Sequence, residues 1–234
     1  MTQRDIVGLI ILYVYAFGLL LGVEAVGRRL RWPQYLTRKL VHIGAGMWIW
    51  GILALFESWI VWIIPFATFI VLNYLFYRTQ LFKTMDAAGF SPGTVYFAIS
   101  ITALFALLWR PQGPVDRAAV AAAAVMAMTW GDGVASIVGQ RWGRRMYQVL
   151  DARRSWEGTA AMAAFAFASV LLTLLLLPSS ALSPTSSRLA ATTALGMTAV
   201  ATVVATVAEG ISPAGTDNLS VPLLTGVALA LFTL

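Results

Sequence analysis

The chain has 234 residues, of which 59% are hydrophobic and 11% charged, and its formal net charge is +6. A soluble domain carries about 25% charged residues, so a water-soluble globule is excluded. So is a disordered chain, which needs high charge and few apolar residues. The absence of cysteine removes disulfides, zinc ribbons and thiol catalysis, and a single histidine removes multi-histidine metal sites.

What remains is an all-α integral membrane protein, because long unbroken apolar runs replace the ten-residue alternation of a membrane β-barrel. In chain order the runs cover residues 6–23, 40–56, 59–77, 94–109, 118–138, 159–177, 189–208 and 219–234. The second, fourth and eighth are shorter than the ~20 residues of a straight span. The reading is therefore a polytopic bundle of seven or eight transmembrane helices, seven if one segment is re-entrant. Residues 1–234 form a single membrane domain, with helix 6–23 peripheral to a catalytic bundle at 35–222. The first run is a span and not a signal peptide, since Arg4 and Asp5 cancel and no small-residue cleavage pattern follows.

Twelve of the 16 basic residues fall in the loops after the first, third and fifth spans, Arg78 and Lys83 among them. The positive-inside rule places that side in the cytoplasm. Such a surface attracts anionic lipid headgroups, or its arginines hold a polyphosphate.

Carboxylates in apolar runs carry the most information. Asp132 lies late in the fifth run, between Gly131 and Gly133. A charge at membrane depth costs a few kcal/mol, and such residues face polar cavities. The alternative is a structural ion pair with a loop arginine. Glu209 ends the seventh run, and Asp217 and Asn218 follow in a loop without basic residues. These carboxylates cap helices, Asp217 as an N-cap, or take a divalent cation arriving with a nucleotide, since Mg²⁺ uses one or two carboxylates plus phosphate and water. Arg38, Lys39 and His42 share one helical face by their spacing, which suits phosphate or plain snorkelling. Ser155 is placed to cap the sixth span after Arg153 and Arg154, with Gly158 and Thr159 early in that helix. A helix N-terminus behind two arginines is an anion site, or an ordinary capped membrane helix. The charge-derived topology puts all these groups at one face, as a Mg²⁺-polyphosphate site requires. The Gly89-x-Ser91-x-Gly93 pattern precedes a span and lacks the strand-turn-helix context of a hydrolase elbow.

The order of these groups resembles a known family. Arg38-Lys39-x-x-His42, Gly131-Asp132-x-x-Ala135-x-x-x-Gly139, Arg154-Ser155-Trp156-Glu157-Gly158-Thr159, Glu209 and Asp217-Asn218-x-x-x-Pro222 are similar to the motifs of membrane polyprenol kinases. That group includes phytol and farnesol kinases, dolichol kinases and CTP-dependent diacylglycerol kinases, and is distantly related to phosphatidate cytidylyltransferases. The resemblance implies transfer of a γ-phosphoryl group from CTP, or another nucleotide, to a lipid alcohol, with a divalent cation. It marks Arg38, Lys39, Asp132 and Gly139 as needed for activity. In the mechanism expected from it, Asp132 holds Mg²⁺ or orients the hydroxyl, with Glu209 and Asp217 beside it. Arg38, Lys39, Arg153 and Arg154 hold phosphate oxygens, and Gly131, Gly133 and Gly139 allow close approach. Two positions depart from the pattern: Arg154 stands where lysine is frequent, and Thr216 where many members have a second acidic residue. The alternatives are a cytidylyltransferase and a small-solute transporter using Asp132. A transporter would show repeated halves with paired broken helices, and this sequence has no such pairing.

Overall fold

The structure is a computed structural model that describes residues 1–58, 60–79, 92–111, 113, 115–149, 152–213 and 215–233. Trp59, Lys83, Gly89, Ser91 and Leu234, on which sequence expectations fell, lie outside the described residues.

Among the described residues the architecture is helical apart from one hairpin. Its elements are α1 (Gln3–Arg29), α2 (Gln34–Met47), α3 (Ile49–Leu55), α4 (Ile63–Thr79), α5 (Gly93–Leu108) and α6 (Ala118–Met126), followed by a π-helical segment (Ala127–Asp132). Then come α7 (Gly133–Trp142), strands β1 (Met146–Val149) and β2 (Ala152–Ser155), α8 (Trp156–Leu176), α9 (Ala191–Ile211) and α10 (Asp217–Leu231).

Among the described residues, four helices are long and apolar enough to cross a membrane: Gln3–Arg29, Ala118–Trp142, Trp156–Leu176 and Ala191–Ile211. Three shorter apolar helices accompany them, at Ile63–Phe76, Gly93–Leu108 and Asp217–Leu231. The run read from sequence as one span over 40–56 is instead divided. Helix α2 already starts at Gln34, and the chain breaks at Trp48 before α3.

The centre of the bundle is the continuous helix Ala118–Trp142, whose apolar window is 78% buried, against 11% for α1. The run Ala118 to Ala124 is buried throughout. Small side chains let α8 and α10 approach this helix closely, as van der Waals packing between membrane helices requires. Outward faces are apolar yet exposed, at Ile10, Val14, Leu176, Val203 and Leu231 for example. Such a surface calls for hydrocarbon as its solvent.

Both ends of the bundle are fastened. At one end Trp62 packs at 5.5 Å on Phe66, 5.6 Å on Phe105 and 6.0 Å on Trp109. There Asp5 closes a capping box with Thr2 and also accepts from the backbone N–H groups of Glu57 and Ser58. Asp116 joins two loops by accepting from Arg110 N, Ala118 N, Ser183 Oγ and Thr185 Oγ1. The other end carries the hairpin. Its strands pair antiparallel in the register Tyr147 with Arg154 and Gln148 with Arg153. From sequence, the segment between the fifth and sixth apolar runs reads only as a loop.

Candidate functional site

Among the described residues, a polar and an apolar cavity adjoin near the hairpin end. The polar one is bounded by α7, β2 and the facing ends of α8, α9 and α10, and it includes Asp132, Gly139, Arg153, Arg154, Glu209 and Asp217. The other, largely apolar, lies among α1, α2, α4 and α5. Lys39 lines both.

Asp132 sits at the last residue of the π segment and is 3% exposed. The extra residue of a π turn re-aims the following side chains, and such segments recur at functional sites. Lys39 Nζ donates to Asp132 Oδ2 at 2.6 Å, a short charge-assisted bond. The lysine side chain keeps 18% of its exposure, so the pair is open from the lysine side. His42 Nε2 lies 3.5 Å from the same carboxylate oxygen and 3.4 Å from Met128 O, with its ring edge-on to Phe97.

Arg154 makes the second polar cluster. Its Nε is 2.9 Å from Glu209 Oε1, and its Nη2 donates at 3.3 Å to Asp217 Oδ2. The planar fork thus spans carboxylates from α9 and α10, which a point-charge ammonium does not match. Among the described residues no three carboxylate or imidazole groups gather into a metal-ready cluster. Asp132, Glu209 and Asp217 nevertheless line one cavity.

Ser155 caps α8, its Oγ accepting from Gly158 N at 3.1 Å. Glu157 points away from the cavity and accepts from the backbone N–H groups of Arg144 and Arg145, which pins the hairpin's entry to α8. Tyr147 Oη and Thr159 Oγ1 pair at 2.6 Å and hold the hairpin from the other side. Arg153 is exposed at the cavity mouth.

The three glycines separate by place. Gly139 lines the polar cavity, and a Cβ there would stand 3.1 Å from Ser155 Oγ. Gly131 and Gly133 are packing positions: a Cβ would stand 2.6 Å from Met162 Sδ and 2.7 Å from Ile43 Cγ1 respectively. Arg38 lines the apolar cavity and not the polar one.

Asp217 is the first residue of α10 and not its cap, which is Thr216, and its Oδ1 accepts from Asn218 N at 2.9 Å. The neighbours Asp217 and Asn218 face different cavities, polar and apolar. Pro222 has no N–H for the carbonyl four residues earlier, and that carbonyl, Asn218 O, accepts from Ser100 Oγ at 2.9 Å. The proline therefore ties the start of α10 to α5.

Sequence reasoning missed Ser136 and Gln140, both in the polar cavity. They stand four and eight residues after Asp132, so the helical repeat that grouped Arg38 with His42 would have found them.

No protein-family model matches the chain. No solved structure matches it either. Curated proteins do. A phytol kinase from Synechocystis sp. is 36% identical over 229 residues, covering 89% of this chain and 84% of the relative. A probable chloroplastic phytol kinase from Triticum aestivum is 29% identical over 69% of this chain, which spans 56% of that protein. A probable chloroplastic phytol kinase 2 from Glycine max is 28% identical over 90% of this chain and 70% of its own length. With that likeness running through nearly the whole bundle, the chain belongs to the polyprenol and phytol kinase family and is a kinase that phosphorylates an alcohol.

Proposed function

We propose that the protein transfers the γ-phosphoryl group of CTP to the hydroxyl of a phytol-type isoprenoid alcohol, at the cytoplasmic face of a bacterial inner membrane. The observation that carries this reading is the junction of a polar, charge-lined cavity with an apolar one at Lys39, 2.6 Å from Asp132. A polyphosphate and an alkyl alcohol need such neighbouring compartments. The names of the relatives supply phytol as acceptor.

In the proposed step the lipid oxygen attacks the γ-phosphorus, the bond from that phosphorus to the β–γ bridging oxygen breaks, and CDP leaves. Asp132 orients the hydroxyl and takes its proton. Lys39, Arg153 and Arg154 neutralise phosphate oxygens, and the capped N-terminus of α8 adds its dipole. Phosphoryl transfer asks mainly for positioning and charge stabilisation. The carboxylates of the polar cavity fit a Mg²⁺ ion that arrives with the nucleotide, since such sites take one or two carboxylates and complete their shell with phosphate and water. Glu209 and Asp217 would hold it, and it would supply further neutralisation of phosphate charge. Seven or eight spans, counting the shorter apolar helices, put the basic loops and the hairpin on the cytoplasmic side, where they meet anionic lipids.

Label transfer tests the reaction. Purified protein in liposomes receives Mg²⁺, lipid alcohols, phosphatidate, and CTP labelled at either the α- or the γ-phosphate. Label entering phytol only from γ-labelled CTP is the expected result. Label entering phosphatidate only from the α-position would make the protein a cytidylyltransferase and overturn the reading.

A further inference from the structure

We propose that the stacked pair Tyr15–Trp48, together with Leu12 and Phe66, closes the deep end of the apolar cavity and sets the longest acceptor tail the enzyme takes. This rests on the reading of that cavity as the acceptor's site.

The cavity runs along α2 from Arg38 and Lys39 to Trp48. Nine residues of helix separate Lys39 from Trp48, a rise of roughly 13 Å. That is close to the ~15 Å depth of one hydrocarbon leaflet. The hydroxyl end of an acceptor belongs at Lys39, where the cavity meets the phosphate compartment, so its tail points towards Trp48.

Trp48 is fixed in place. Its ring stacks on Tyr15 at 4.7 Å with 27° between the planes, and Tyr15 Oη donates to Gly44 O at 2.7 Å. Behind it, a Cβ at Gly51 would stand 2.9 Å from three atoms of the indole. Glycine there lets the ring lie back at the break between α2 and α3. Helix α1 supplies the opposing wall, with Ala16 one residue beyond Tyr15 as a small side chain on the cavity. The N-terminal helix thereby becomes part of the acceptor site, and Ala16 is where added bulk would shorten the cavity.

The test is a length profile. Wild type, Trp48→Ala and Ala16→Phe are given isoprenoid alcohols of two, three, four, six and nine isoprene units, and kcat/KM is compared within each variant. Ratios within one variant cancel differences in folding and yield. W48A is expected to shift the cut-off to longer tails, and A16F to shorter ones. Each shift is at least about tenfold for the unit at the boundary, as expected when several methylene groups gain or lose burial. Thermal stabilisation by the same alcohols should follow the same order without turnover. Length profiles that superimpose on the wild type in both variants would overturn the floor assignment. A wild type that phosphorylates none of the alcohols would overturn the acceptor reading itself.

Discussion

The residues of the polar cavity divide into two charge balances that do different work. Lys39 and Asp132 form one pair at 2.6 Å, and Arg154 forms the other by holding both Glu209 and Asp217. The arginine is the more telling of the two, because its fork fits two carboxylates from two helices. Arg154→Lys keeps the charge but loses that geometry. We expect KM for the nucleotide to rise about tenfold, with kcat changing less, as for the loss of one charge-assisted contact. Steady-state kinetics at varied CTP checks it, and an unchanged KM would mean that Arg154 serves packing only. Of the residues in these pairs, Lys39, Asp132, Arg154, Glu209 and Asp217 were all legible in the sequence as charges in or beside apolar runs. Ser136 and Gln140 carry no charge and so give no such signal, although both repeat at helical spacing from Asp132. Which glycines line the site was not legible, since a glycine in a membrane helix reads the same whether it faces a ligand or a neighbouring helix.

Among the elements, the contact between α2 and α7 sets the distance between the paired charges. Ile43 follows His42 on α2, Gly133 follows Asp132 on α7, and a Cβ at Gly133 would stand 2.7 Å from Ile43 Cγ1. Gly133→Ala should therefore push the helices apart and destabilise the fold by about 1–3 kcal/mol. Ile43→Ala should relieve it, so the double-mutant cycle is non-additive by about 1 kcal/mol or more. Thermal melts in detergent measure this, and additive values would place the tight contact elsewhere. Ser155 is the second joint: it caps α8 and lies against Gly139. Ser155→Ala should cost about 1 kcal/mol, read in the same melts, and the cap carries nothing if stability is unchanged. Hydropathy located the apolar runs but not their breaks. Residues 34–39 are too polar for the window that found 40–56, and nothing in the run announces the break at Trp48. The hairpin escaped because strands of four residues are too short for a period of two to stand out.

For the whole molecule, the chain builds a buried alanine-rich helix, wraps apolar helices around it, and gathers helix ends at one face. That design brings a charged compartment against an apolar one with Lys39 and Asp132 between them. Composition and hydropathy foretold a helical membrane protein. The two-cavity arrangement was not foretold, because it depends on which side of α2 and α10 each residue faces. If phosphoryl transfer takes place across this junction, Asp132→Asn must block it. Purified variant and wild type are compared for transfer of γ-label from CTP to phytol, with nucleotide binding and melting temperature measured on the same samples. D132N should still fold and bind nucleotide but transfer label at least about 10²-fold more slowly, the scale seen when one transition-state contact is removed. Transfer at the wild-type rate by D132N would contradict it.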